Sequence, residues 1–572
     1  MLRQTSLAQR SRRAMEIVAV AVIAFRCLPL AAQNTTITGV VKNAAGESVA
    51  GALVKVSSKE SGLGFMVVSQ AQGRYSTPNL LPGKYAVQSF GGIFQCAPEE
   101  PVGVSSGQQG KRDLVLNVPL QIPPRETPLT DADYEKFMPE SEDGIHTDLA
   151  SVCNECHTLE RILSARKTPE KWRETLDRMQ NMVIQRRRAL SFLYRSDRER
   201  EDVSTMKYFS KFFTPENPPD PRVVQQWLLR PGGPSHPNRN LPPRLLEGAA
   251  AKYVAMEFSL PIGSGPSAVA VDSQGIAWIS EAEGGMLGRF DPHSLTYTRI
   301  APPPGKHPQS QLNAVAVDPR DQVWFVDAGP NARILQYDPK SREFNSYVIP
   351  DYRWPVPDEG WASIAALRFL DGKVWATGKT TDRILKLDPA TRKVSPYAVP
   401  RGSVPFGMAI SADQMVRYGA EVANAIVRFD PNDGVLKMHD VPTPRSSLRG
   451  MAADAEGGVW VAAIDAGKLV KVDRAGKVTE YTPPTENSGP YAVDVDVKRN
   501  LVWFSEVFAD KIARFDPKTS AFVEFPHPSA DSDVRRIEID RTNSNRVWWA
   551  GARGDKIGYL EVSDANEIAA AR

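Results

Sequence analysis

A tryptophan-anchored repeat over the C-terminal half most constrains the fold. Trp278, Trp324, Trp375, Trp460, Trp503 and Trp548 each sit inside a strand-like run, and Arg417 takes the aligned place between Trp375 and Trp460. The successive spacings are 46, 51, 42, 43, 43 and 45 residues. About 13 residues after each lies an acidic turn residue: Asp291, Asp338, Asp388, Asp430, Asp473, Asp516 and Glu561. Five are followed by Pro, a pair that suits the opening of a type I turn. Another strand precedes each Trp run, as in Ala268-Val-Ala-Val-Asp272, and an outer strand follows each turn, as in Phe522-Val-Glu-Phe525. Four short strands every 40–50 residues make a β-propeller blade, and seven repeats predict seven blades over 253–562. The last repeat lacks an outer strand after Glu561. Residues 253–260 match that pattern without a blade of their own, so they are expected to complete the seventh blade and close the ring.

The preceding residues divide into further units. Residues 35–118 carry short strand-like runs between turn residues, such as Ala52-Leu-Val-Lys-Val56, Gly73-Arg-Tyr75 and Leu81-Pro-Gly-Lys-Tyr85. This order resembles the carboxypeptidase regulatory-like domain, which implies a transthyretin-like β-sandwich without catalytic residues. Pro-Leu-Gln-Ile-Pro-Pro over 119–124 opens an extended linker. Residues 131–213 are charged and helical in pattern, and 214–250 form a Pro-rich linker. The expected fold class is mostly β: a seven-bladed propeller, a β-sandwich and a small α-helical domain.

The N-terminus reads as a targeting segment. Arg3, Arg10, Arg12 and Arg13 precede a short apolar run from Ile17 to Phe25, and small residues follow at Ala31 and Ala32. A cleaved signal peptide over 1–32 is expected, which places the protein in the periplasm or outside a bacterial cell. The run is too short to span a bilayer. Ser11-Arg12-Arg13 faintly matches a twin-arginine signal, but Glu16 is out of place there. The whole chain carries a formal net charge of +3; the five Arg and one Glu of 1–32 account for +4, which leaves 3 − 4 = −1. That balance argues against nucleic acid as a partner.

The chain has 4 Cys and 7 His. Cys27 leaves with the signal, and Cys96 has no evident partner. Cys153-Asn-Glu-Cys156-His157 is the attachment pattern of c-type haem: both thiols add to the porphyrin, and the adjacent imidazole ligates the iron. A zinc site would want a second ligand pair of similar spacing, and a thioredoxin-like pair a βαβ setting; neither is present. Thr168-Pro-Glu-Lys-Trp172 reads as a helix start. Trp172, Leu176, Met179 and Val183 form one stripe at helical spacing, with Met179 near its centre. Met179 is the first candidate for the second axial ligand, ahead of Met182 and Met206. A thioether there suits electron transfer. The pattern resembles the haem domain of quinohaemoprotein amine dehydrogenases, where the resemblance assigns the axial role to Met179.

The unit Trp503-Phe-Ser-Glu506 … Lys511-Ile-Ala-Arg-Phe-Asp-Pro517 resembles the streptogramin B (virginiamycin B) lyase propeller family. Glu281, Asp327 and Glu506 follow the blade tryptophans in the same way. That resemblance implies elimination at an ester-closed ring, with Mg²⁺ and a histidine base placed where inner strands begin. Here those places read Pro266-Ser267, Pro405-Phe406, Leu448-Arg449 and Pro490-Tyr491. Of the propeller's histidines, His293 follows a turn and His439 lies in an outer strand. His307 and His527 lie in loops before inner strands and are expected at the surface. Inner strands are expected to begin near Asn313, Trp361, Phe406, Arg449, Tyr491, Arg535 and Arg536. Of these, Asn313, Trp361, Arg449, Tyr491 and Arg535 are the candidate funnel contacts for an anionic or aromatic ligand.

Three functions stay open at this level. The first is an exported c-type haem protein that transfers electrons, with a propeller that binds a small-molecule substrate or redox partner protein. The second is a C–O lyase, and the third a non-catalytic envelope scaffold.

Overall fold

The computed structural model describes residues 35–120, 136–140, 163, 167–170, 172–173, 206–218, 220 and 244–563. Short gaps within the last range fall at 307, 309, 329–330, 350–363, 380–382, 401–402, 422, 445, 531 and 553.

The first unit is a β-sandwich. In Gly83–Gly91, Tyr85, Val87 and Ser89 point inward and alternate with exposed residues, as a strand with one solvated face requires. Leu63–Val68 is buried at every position. Its near-continuous apolar run, Leu-Gly-Phe-Met-Val-Val, follows from having both faces covered: Leu63, Phe65 and Val67 pack into one core, Met66 and Val68 into another, while its two edges pair with Leu53–Ser57 and Tyr253–Ser259. Cys96 is buried, and the Ser89 N–H donates to its Sγ at 3.1 Å.

Six repeats form self-contained four-stranded antiparallel blades, in sequence order from Pro266–Val271 through Ala521–Pro526. The seventh repeat differs from the expectation of seven separate blades. Its strands Val534–Ile539, Arg546–Gly551 and Lys556–Val562 pair in order, and Tyr253–Ser259 adds antiparallel to Lys556–Val562. The outer strand then continues into the sandwich, giving one 13-stranded sheet. The physical reason is the free edge that an outer strand leaves; here Leu63–Val68 occupies it. Val534–Ile539 packs between the inner strands of the sixth and first repeats.

The repeat tryptophans are fully buried between neighbouring blades. Trp278, Trp324 and Trp548 donate their indole N–H to Asp272, Asp318 and Asp540, each at 2.9 Å. That aspartate ends the inner strand, so one side chain locks strand to strand within a blade. The fourth blade swaps both members of the pair: buried Arg417 donates its Nε–H to Ser411 at 3.0 Å.

In the 131–213 region, helix is described at 163, 169–170, 172–173 and 206–212. The Trp172 N–H bonds Thr168 O at 2.9 Å, as a helix starting at Pro169 predicts. Trp172 packs on Phe209 and Phe213. Among the described residues no helix is long and apolar enough to cross a membrane. Residues 1–32, Cys153, Cys156, His157, Met179 and Met182 lie outside the described residues, as do His307 and Trp361; Met206 lies within the 206–212 helix.

Candidate functional site at the axial mouth

Seven inner strands converge on one axis. Each carries a register shift near its start, at Pro266/Ala268, Leu312/Val315, Ile364/Leu367, Pro405/Met408, Leu448/Met451, Pro490/Val493 and Val534/Arg536. A bulge re-aims the residue it contains. The first residue inside each shift is therefore the mouth position: Ser267, Asn313, Ala365, Phe406, Arg449, Tyr491 and Arg535. The third strand is Ile364–Leu370, so its mouth residue is Ala365, and Trp361 falls before the strand.

The structure brings Phe406, Arg449 and Tyr491 together. The Arg449 guanidinium lies 4.9 Å from the Phe406 ring centre and 5.8 Å from that of Tyr491. The two rings meet edge to face at 6.2 Å. Lys379 also sits 4.9 Å from the Phe406 ring centre. Buried Glu421 joins the two cations, at 2.8 Å from Arg449 and 3.6 Å from Lys379. Burial disfavours the Arg449 charge, but Glu421 and Tyr491 raise its pKa above the ordinary arginine value. Arg535 is half exposed and pairs with Asp533 at 2.7 Å. Asn313 stands apart. Its backbone carbonyl accepts from Ser267 at 2.8 Å and stitches the first two blades.

Below the mouth lies a charged layer that the sequence reading missed. Three residues past the mouth residue stand Ala270, Ala316, Ala409 and Ala452 in four repeats, but Arg368, Asp494 and Glu538 in the other three. Stacking the repeats by their Trp positions would have shown this column. Asp494 accepts the Ile539 N–H at 2.8 Å, and Glu538 accepts the Val271 N–H at 3.1 Å, so each carboxylate ties its blade to the next. Arg536 donates across the bore to Ala365 O at 2.8 Å, and Arg368 to Met451 O at 3.2 Å. Enclosure by protein raises the Asp494 pKa and pushes Glu538 up to about 7. Enclosure and the facing Arg368 bring Arg536 down to about 10.

The three acidic residues after the blade tryptophans diverge. Glu281 binds Tyr297 and Arg299, and Asp327 binds Arg333. Glu506 is fully buried without an arginine, and burial together with Glu524 pushes it up to about 8. No histidine reaches the mouth among the described residues. His293 is exposed on a turn, and His439 lies in the outer strand Leu436–Asp440. His527 corrects the expectation of a surface loop residue. It is buried edge-on against Trp549 at 4.8 Å, its Nε2 has no hydrogen-bond partner, and burial lowers it to about 4.

The axial mouth of this β-propeller thus sets paired cations against aromatic faces. The virginiamycin B lyase family matches residues 254–560, more than half of the sequence, and the chain belongs to that family. The carboxypeptidase regulatory-like domain matches residues 36–117. The virginiamycin B lyase of Nocardia farcinica is 27% identical over 234 residues, covering 41% of this chain and 75% of that protein. A solved streptogramin B lyase is 25% identical with a TM-score of 0.49, covering 55% of this chain and 100% of that one. The virginiamycin B lyase from Staphylococcus aureus is 23% identical with a TM-score of 0.48 over the same shares.

Proposed function

We propose that the protein is an exported c-type haem protein whose lyase-like propeller binds a ligand at its axial mouth. The observation that carries the redox reading is Cys153-Asn-Glu-Cys156-His157 in a chain that opens with a signal-like segment over 1–32. Cys153 and Cys156 would hold one haem c covalently, with His157 and Met179 as axial ligands. Bound there, the haem would supply one-electron transfer. The partner is a redox protein or a small molecule held by the propeller, in the periplasm or outside the cell. We take the seventh repeat as a seventh blade shared with the sandwich, so that the funnel is ringed on all sides. A pyridine haemochrome assay on periplasmically matured protein tests the haem reading, and absence of covalent haem overturns it. Met179→Ala should change the reduction potential and the ligand-field spectrum; an unchanged spectrum rejects Met179.

The second reading, a C–O lyase, is favoured by the family match over 254–560. Two observations weigh against it. General base catalysis needs a group within hydrogen-bond reach of the proton it takes, and the mouth positions hold Ser267, Phe406, Arg449 and Tyr491 instead of histidine. Mg²⁺ would need several oxygen ligands, and no group of three or more His, Cys, Asp or Glu is gathered among the described residues. We expect no metal-dependent ring opening of a streptogramin B antibiotic; clear turnover would restore the lyase reading.

A further inference from the structure

Two arginines cross the bore below the mouth. Arg536, on the seventh repeat, crosses to the third blade at Ala365 O, and Arg368, on the third, reaches the fifth at Met451 O. Charge is unevenly matched along this funnel. At the rim, Glu421 serves Arg449 and Lys379, and Asp533 serves Arg535. Below it, Asp494 and Glu538 are engaged by backbone N–H groups of neighbouring strands. Arg536 and Arg368 hydrogen-bond only to carbonyls and have no carboxylate within ion-pair distance among the described residues. Arg449 lies over both the Phe406 and the Tyr491 rings, and Arg535 takes the mouth position on the strand beside that of Tyr491. The two rings stand edge to face.

We propose that this funnel binds a planar aromatic carboxylate, its ring against Phe406 and Tyr491 and its carboxylate on Arg535 and Arg536. The inference deepens the ligand-binding reading of the mouth and rests on it. A guanidinium fork matches a carboxylate in plane. An edge-to-face aromatic pair offers a third ring both a face and an edge.

The test is calorimetric titration of the full chain with benzoate, 1-naphthoate and indole-3-acetate, against benzamide and cyclohexanecarboxylate. At least one aromatic acid should bind with Kd on the order of 10–100 µM, and both controls about tenfold or more weaker. Arg536→Gln should weaken the acid about tenfold; because it also removes a bond across the bore, the exposed Arg535→Gln serves as the variant that keeps the fold. Benzamide binding as tightly as the acids, or an unchanged affinity in Arg535→Gln, overturns the carboxylate. A streptogramin B antibiotic is titrated in parallel. If it binds wild type but not Arg449→Met while no acid binds, the mouth stands as a ligand site and the aromatic acid falls. If nothing binds, both fall.

Discussion

Replacing Glu257 by glutamine removes one negative charge from the seam between sandwich and propeller. Glu257 lies on Tyr253–Ser259 and is 4% exposed. Its Oε1 accepts from Lys556 at 3.0 Å and Ser529 at 2.9 Å, and lies 3.7 Å from Lys55 of the sandwich strand Leu53–Ser57. Gly64 stands opposite because a Cβ there would come within 2.9 Å of the Glu257 side chain. Breaking a buried ion pair from one side costs about 3–5 kcal/mol. The two lysine side chains keep 21% and 22% exposure and can recover water, so the loss at pH 7 should be about 2–3 kcal/mol. The effect depends on pH. Burial opposes the Glu257 charge, but Lys55 and Lys556 outweigh it and hold the folded pKa below the ordinary 4.5. The stabilisation is therefore present above the unfolded-state pKa and is lost as pH falls through the lower folded one. Urea unfolding followed by tryptophan fluorescence, at pH 7 and again near pH 3, should show the gap between wild type and Glu257→Gln shrinking in acid. A gap under about 0.5 kcal/mol at pH 7, or one that persists unchanged near pH 3, would refute the reasoning.

Trp278→Phe should cost about 1–3 kcal/mol more than Trp375→Phe in the same unfolding assay. The first orphans a buried carboxylate oxygen of Asp272, whereas the Trp375 indole N–H has no acceptor to lose. Cys96 should resist a thiol reagent in the native state, since burial raises its pKa, and react on unfolding. If the thiols of Cys153 and Cys156 are tied to haem, the unfolded mature chain should titrate one thiol; three would contradict covalent attachment. Gly407→Ala should destabilise by about 1–3 kcal/mol, because the added Cβ would lie 2.1 Å from Arg449 O and force the inner strands apart. The same variant should weaken ligand binding at the mouth; full affinity would separate the mouth from strand spacing.

The repeat was legible because a blade is a local object. Its strands are consecutive, its Trp and Asp recur at fixed offsets, and its turns announce themselves. Even the pairing of Tyr253–Ser259 with Lys556–Val562 could be read, since a missing strand at one end matched a surplus one at the other. The extension of that sheet into Leu63–Val68 could not, although the unbroken apolar run there was the trace it left. At the mouth, Phe406, Arg449, Tyr491 and Arg535 follow from strand starts. Glu421 and Lys379 do not, because they lie past the ends of second strands and meet Arg449 only through the ring geometry. The cross-bore contacts of Arg368 and Arg536 join repeats three and seven and three and five, separations that no local pattern reports. His527 was misplaced for the opposite reason: a loop residue was read as exposed, when the neighbouring blade's Trp549 covers it.

The sandwich strands also fix the entrance and exit of everything between them and the propeller. The chain leaves at Leu120, whose N–H bonds Ile93 O at 2.8 Å, and returns at Leu246, whose N–H bonds Gly51 O at 2.8 Å. The side chains of Leu116 and Leu245 flank the same Gly91, where an added Cβ would lie 3.0 and 2.9 Å from them. Departure and return therefore share one patch of the sandwich. The pairing of Leu63–Val68 with Tyr253–Ser259 is thus fixed by contacts at Gly51 and Gly91, and the number of residues between Leu120 and Leu245 can change at little cost to it.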